Sequence, residues 1–160
     1  MPEPLGKPAR ITTFVDANLI HCNITGRSET GIIQMINKTP VDWYSKRQAT
    51  VETETYGSEF VADRIATEQV MDLKYTLRMF GAPLDGPAWM FGDNLSVVLS
   101  SSIPQSTLKK RHNAIAYHRV REAIAAGILN FTYMSGDHNP ADILTKHLGS
   151  WKKIALMRYI

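Results

Sequence analysis

The sequence predicts an α/β domain with a mixed five-stranded sheet and helices on both faces. Three observations carry that prediction. Three short strand-like segments come first, separated by turn chemistry at 26–31 and 37–40. A long amphipathic stretch follows over roughly 51–80. Beyond it, extended and helical patterns alternate along the rest of the chain. Strands joined by short connections pair as antiparallel neighbours, so strands one to three form a meander. The later strand–helix alternation places helices against the faces of the sheet.

Residues 1–10, with three prolines and a glycine, read as a leader or linker. Residues 11–17 alternate as a strand with Phe14 and Asp16 on one face. The glycine and charge cluster at 26–31 turns the chain into a second strand near 31–37, and Asn37-Lys38-Thr39-Pro40 turns it into a third near 41–46. In the long helix, Val51, Ala62, Ile65, Ala66, Leu73, Leu77 and Phe80 share an apolar arc that ends at Gly81 and Pro83. Glu59 lies at the edge of that arc, pointing the same way as Leu77 five turns on.

A fourth strand over 88–92 ends at Asp93, followed by a short helix over 95–101. Ser106 or Thr107 is expected to cap a second long helix that runs to about 126 and stops at Gly127. Residues 129–134 form the fifth strand, and Asn139-Pro140 opens a last helix with proline in its first turn. The domain is expected over 11–148, with 149–160 as a C-terminal tail of helical potential.

Composition narrows the function classes. With 160 residues, 44% apolar and 21% charged, the chain reads as one globular domain, not a disordered segment. No apolar run reaches the length of a membrane span, and the polar, proline-bearing start has no signal-peptide core. Cys22 is the single cysteine, which excludes internal disulfides and cysteine-rich zinc sites and fits a reducing compartment. The five histidines show no regular ligand spacing. A net charge of +3 permits nucleic-acid binding without requiring it.

Four segments each deliver one acid: Asp16 (ITTFVDAN), Glu59 (TVETETYGSEFVA), Asp93 (WMFGDN) and Asp142 (HNPADILTK). Asp16 and Asp93 end strands, the place where open α/β sheets bind ligands. Carboxylates gathered there and withdrawn from water need a positive partner. A divalent metal answers that need, and four acids on strand, helix, strand and helix suggest a metal-dependent nuclease. Each has an ordinary alternative: a turn-starting aspartate for Asp16 and Asp93, a boundary glutamate for Glu59, and helix capping for Asp142.

The basic run Lys109, Lys110, Arg111, His112 sits where the next helix should begin, and the macrodipole disfavours cations there. Phosphate binding gives a reason for the run, the alternative being a solvated cationic face. His112 and Arg119 fall on one helical stripe with Leu108 and Ile115, so their heads are expected to reach past an apolar contact.

Several blocks in order raise the four acids together. DWYSKRQATVETETYGSEFVA (42–62), GDNLSV (92–97), KKRHNAIAYHRVREAIAAG (109–127) and PADILTK (140–146) resemble the ribonuclease H domain of copia-type LTR retrotransposon polyproteins. The resemblance covers roughly residues 5–148. Gly92 stands where that family usually has cysteine, and ANLIHC after Asp16 departs from the usual sequence.

The resemblance implies a ribonuclease H-like fold with catalytic, metal-ligating Asp16, Glu59, Asp93 and Asp142. It implies two-metal hydrolysis of the RNA strand of RNA–DNA hybrids within retrotransposon reverse transcription. The ions would be Mg²⁺, with Mn²⁺ as a substitute. Asp16 would bridge both, Glu59 and Asp93 completing one site and Asp142 the other. His138 is a candidate auxiliary group for proton transfer or product release, or else an exposed loop histidine. The implied partners are the hybrid and the reverse-transcriptase domain of a parent polyprotein, with no membrane. The expected setting is intracellular, either in a cytoplasmic particle or in the nucleus. Two rival readings keep the fold: a decayed nucleic-acid-binding remnant, and a structural module supporting a polymerase.

Overall fold

The computed structural model describes residues 6–19, 24–108 and 111–160, apart from the side chain of His112. Cys22 and the predicted phosphate-binding pair Lys109 and Lys110 lie outside the described residues. The elements in order are β1 (Ile11–Asn18), β2 (Glu29–Ile36), β3 (Thr39–Arg47), α1 (Thr55–Met79), β4 (Ala88–Gly92), α2 (Leu95–Ser102), a 3₁₀ turn (Arg111–Asn113), α3 (Ala114–Ala125), β5 (Leu129–Tyr133), α4 (Asp142–Thr145) and α5 (Ser150–Met157).

The five strands form one sheet in the order β3-β2-β1-β4-β5. β1, β2 and β3 are the antiparallel meander, while β1, β4 and β5 run parallel. Parallel neighbours need crossovers, and the helical segments supply them. β1 is therefore central, and Asp16 lies near its C-terminal end, opposite Gly31 of β2.

Alternation along β1 divides the core. Val15 and Ala17 join Phe60, Ala62, Ala66 and Val70 of α1 and Val120 of α3 on one face. Phe14 packs with Ile33, Met35, Ala141 and Leu144 on the other, under α4. Gly31 makes that second layer thin. A Cβ there would sit 2.7 Å from Thr145 Cγ2 and 2.9 Å from the Ala141 carbonyl oxygen, so only glycine admits α4 this close to the sheet.

Three local expectations are corrected. Helix α1 starts at Thr55, not 51, and its buried seam is Ala62, Ala66 and Val70. Val51 precedes the helix and Phe80 follows its last turn, where Gly81 at φ +75° reverses the chain, and both are exposed. Helix α3 begins only at Ala114, after the 3₁₀ turn. Ser106 caps nothing there, because its hydroxyl bonds the Ser100 carbonyl and the Tyr117 hydroxyl.

The predicted last helix is a single turn, α4, and α5 follows as a separate helix. α5 packs inward through Leu156, which is fully buried, and Ile160 beyond it lies against the Phe14 cluster. Among the described residues no helix is long and apolar enough to cross a membrane.

Candidate active site

Four different constraints aim the predicted acids. Asp16 is placed by the ladder of β1 and is fully buried. Asp93 follows β4 directly, and the next residue, Asn94, caps α2 by accepting from Ser96 N at 3.1 Å and Val97 N at 3.3 Å. Glu59 lies near the start of α1, which Gln48 anchors from the preceding loop. The buried Gln48 amide donates to Thr30 Oγ1 at 3.0 Å on β2 and to the Ser58 carbonyl at 2.8 Å. Asp142 opens α4, whose approach Asn139 fixes by donating to the Val15 carbonyl at 2.8 Å and accepting from Ala141 N at 3.1 Å.

Asp16, Glu59 and Asp93 each present a carboxylate oxygen, and these oxygens lie within 4.8 Å of one another. Glu59 and Asp93 line an open cleft with Thr55, Asn94, Ser96 and Lys146. Asp142 is buried beside this trio and is joined to it by a cation. The Lys146 ammonium donates to Asp142 Oδ1 at 2.8 Å and Asp16 Oδ1 at 3.0 Å, and lies 3.8 Å from Asp93 Oδ2. Thr145 donates its hydroxyl to the other oxygen of Asp16. Lys152 of α5 faces Asp142 Oδ2 at 3.3 Å.

Burial dominates the electrostatics. It raises the pKa of Asp16, against the pull of Lys146 and the Thr145 hydroxyl. Burial also lifts Glu59 well above the ordinary carboxylate range, reinforced by Asp16, Asp63 and Asp93. Asp93 is pushed up to about 6 by burial and by Asp16, partly offset by Lys146. Burial works against the Lys146 ammonium, yet Asp16 and Asp142 raise its pKa above that of an ordinary lysine.

Close, desolvated oxygens of one sign that resist ionisation form a donor set for a hard divalent cation. Asp16, Glu59 and Asp93 fit such an ion directly. Asp142 fits one only where it gives up an ammonium.

The other predicted residues are placed differently. His138 is exposed, in the turn before α4, and meets the Tyr159 ring edge-on at 6.1 Å. Arg111 is exposed on the 3₁₀ turn, not within an α-helix. Arg119 is half-buried in a surface hollow with Glu68, His118 and Glu122. The expected apolar stripe through Ile115 is corrected: Ile115 is 81% exposed, and α3 turns Ala116, Tyr117, Val120 and Ala123 inward instead. Ala116, Tyr117, Val120 and Ala123 form the larger apolar seam at helical spacing, and its burial in the core turns Ile115 outward. Arg121, nearby, donates to the carbonyls of Ser100, Ile103 and Pro104 at 2.7–2.8 Å, closing the end of α2.

Four site residues were not singled out from sequence: Thr145, Lys146, Lys152 and Asp63. Lys146 follows the last residue of α4, and its ammonium reaches back to Asp142 four residues earlier. Asp63, one turn beyond Glu59, is 1% exposed and its Oδ2 has no hydrogen-bond partner. Burial and the charge of Asp93 hold its pKa well above the usual range.

No family model matches the chain. It is 26% identical over 121 residues to the retrovirus-related Pol polyproteins from transposons RE1 and RE2 of Arabidopsis thaliana, covering 76% of this chain and 8% of each polyprotein. The corresponding polyprotein from transposon TNT 1-94 of Nicotiana tabacum is 26% identical over 133 residues, 83% of this chain and 10% of that protein. The chain thus spans only a small part of the length of these relatives.

Among solved structures, the N-terminal ribonuclease H domain of a Mycobacterium tuberculosis protein superposes with a TM-score of 0.66 at 12% identity, covering 94% of this chain and 97% of that one. LC11 ribonuclease H1 in complex with an RNA/DNA hybrid gives 0.63 at 18% identity, covering 85% and 94%. Prototype foamy virus protease-reverse transcriptase gives 0.55 at 11% identity, covering 98% of this chain and 21% of that one. The chain has the ribonuclease H fold, and its sequence relatives are the retrovirus-related Pol polyproteins of transposons.

Proposed function

We propose that this domain hydrolyses the RNA strand of RNA–DNA hybrids, with divalent metal, as the ribonuclease H of a retrotransposon polyprotein of the copia type. The observation that carries this reading is the trio Asp16, Glu59 and Asp93, buried at strand and helix ends with oxygens within 4.8 Å. It is supported by likeness to a ribonuclease H1 solved with an RNA/DNA hybrid and to a protease-reverse transcriptase.

Asp16, Glu59 and Asp93 would hold one ion and Asp16 with Asp142 a second, Mg²⁺ or Mn²⁺ by the hardness of the donors. Bound there, the ions supply an activated water and relief of charge on the scissile phosphate. The remaining tasks fall to the chain itself. Asp16 would serve both positions, held in place by the β1 ladder and the Thr145 hydroxyl. Gln48 and Asn139 keep Glu59 and Asp142 from drifting. Lys109, Lys110, Arg111, His112 and Arg119 are assigned to backbone phosphates, which carry most of the affinity in such complexes. His138, at the turn before α4, is assigned an auxiliary part in proton transfer or product release. Discrimination of RNA from DNA rests on the 2′-hydroxyls in the wide minor groove of the hybrid. The reverse-transcriptase domain of a parent polyprotein is the proposed protein partner.

The test is cleavage of an end-labelled hybrid with and without Mg²⁺, beside single-stranded and duplex RNA of the same sequence. Magnesium-dependent cuts confined to the RNA strand of the hybrid are expected. Intact hybrid under every ionic condition would favour a non-catalytic remnant instead.

A further inference from the structure

We propose that the Lys146 ammonium is a tethered cation that holds the place of the second metal ion in the resting domain and must leave before that ion enters. This rests on the divalent-metal reading above and deepens it.

The geometry is specific. A second ion would sit between Asp16 and Asp142, and that is where the ammonium lies, 3.0 Å from Asp16 Oδ1 and 2.8 Å from Asp142 Oδ1. Both carboxylates are almost wholly withdrawn from water, with side-chain exposures of 0% and 2%, whereas Lys146 keeps 34%. The aspartates are fixed in place, and the lysine has a path to solvent.

The backbone agrees. Lys146 is the C-cap of α4 in an extended conformation (φ −126°, ψ 145°), so a flexible side chain, and not a helix, carries the charge. An ammonium has three donors. Two are spent on Asp16 and Asp142, while Asp93 at 3.8 Å is beyond hydrogen-bond reach. The third N–H is left for an incoming anion, and a substrate phosphate is the chemical class that could draw the ammonium aside. Lys152 approaches Asp142 Oδ2 from α5, so Asp142 does not become a bare buried charge when Lys146 leaves.

The domain should therefore bind its two ions unequally. The first enters at Asp16, Glu59 and Asp93. The second competes with two charge-assisted hydrogen bonds, a handicap of about tenfold or more in affinity. Such a device keeps the centre neutralised and folded without metal and defers its full loading until substrate arrives.

The experiment is a Mn²⁺ titration of the full chain, counting bound ions by electron paramagnetic resonance, with melting temperatures in chelator and in saturating Mn²⁺. In Lys146→Met the first affinity should hold and the second should tighten by about tenfold or more. Its melting temperature should fall in chelator and recover with Mn²⁺. In Lys146→Arg, whose fork grips carboxylates more firmly, the second ion should bind more weakly than in the parent. Should Lys146→Met fail to fold, the Arg variant decides alone.

A second affinity that is unchanged in both variants, or weaker in Lys146→Met, would overturn the exchange and leave the metal reading standing. A parent that binds no ion would bring down the metal reading and the proposal together.

Discussion

Asp93 is the least buried acid of the trio, yet burial and Asp16 still push it up to about 6. Asp93→Asn keeps the shape and removes one member of the repelling set. Its metal-dependent cleavage should drop by more than the roughly 10–100-fold that losing an outer-shell partner costs. Its melting temperature in chelator should equal or exceed that of the parent. Parental turnover in the purified variant would dismiss Asp93 as a ligand. The acids at strand and helix ends were legible because the blocks that carry them resemble a family whose site is built from acids in that order, whereas each acid taken singly has an ordinary alternative. Asp142, which capping alone would explain, is buried beside the trio. Thr145 and Lys146 escaped notice because their meaning depends on Asp16, 129 and 130 residues earlier. Asp63 escaped because an acid on a charged helix looks solvated until its face is known.

At the scale of elements, the closeness of α4 to β2 decides whether Asp142, Thr145 and Lys146 reach the cluster at all. Gly31→Ala puts a methyl carbon against Thr145 and the Ala141 carbonyl. The helix must then move, and overpacking of this kind costs about 1–3 kcal/mol. Urea unfolding should report that loss, together with weaker metal binding from a site no residue of which has been changed. A variant with parental stability and metal affinity would show that the layer is looser than its contacts imply. The strands were legible from alternation and from turns such as 37–40, because a half-buried strand writes its period into the sequence. The start of α3 was not. Ser106 carries an N-cap signature, but its hydroxyl is engaged by Ser100 and Tyr117, a tertiary demand that local pattern does not register.

For the whole molecule, the raised carboxyl groups tie stability to pH. Above about pH 4 the unfolded chain has released the Asp93 proton, starting from an ordinary value of 3.8, while the folded chain keeps it until about 6. The folded state therefore binds more protons across that window, and stability falls as pH rises through it. Asp16, Glu59 and Asp63 act in the same direction. Metal-free protein should thus lose melting temperature from about pH 4 to about 6, and divalent ion should restore it at neutral pH. In Asp93→Asn the slope should be flatter. Parallel profiles for parent and variant would show that Asp93 titrates normally. The mixed sheet itself was legible as a whole, since the order of strands and helices leaves few ways to bury their apolar faces.

The hydrogen bonds from Thr145 and Lys146 to Asp16 span almost the entire domain, which gives the centre a place in time as well as in space. A chain emerging from the ribosome at roughly 5–20 residues per second presents Asp16 on the order of ten seconds before its partners. During that interval β1 can pair with β2 and then with β4, but its carboxylate has neither hydroxyl nor ammonium to meet. Closure of the centre must wait for α4, because its bonds to Asp16 join residues 129 and 130 positions apart. The nascent chain would therefore carry a folded sheet before Asp142, Thr145 and Lys146 complete the acidic centre.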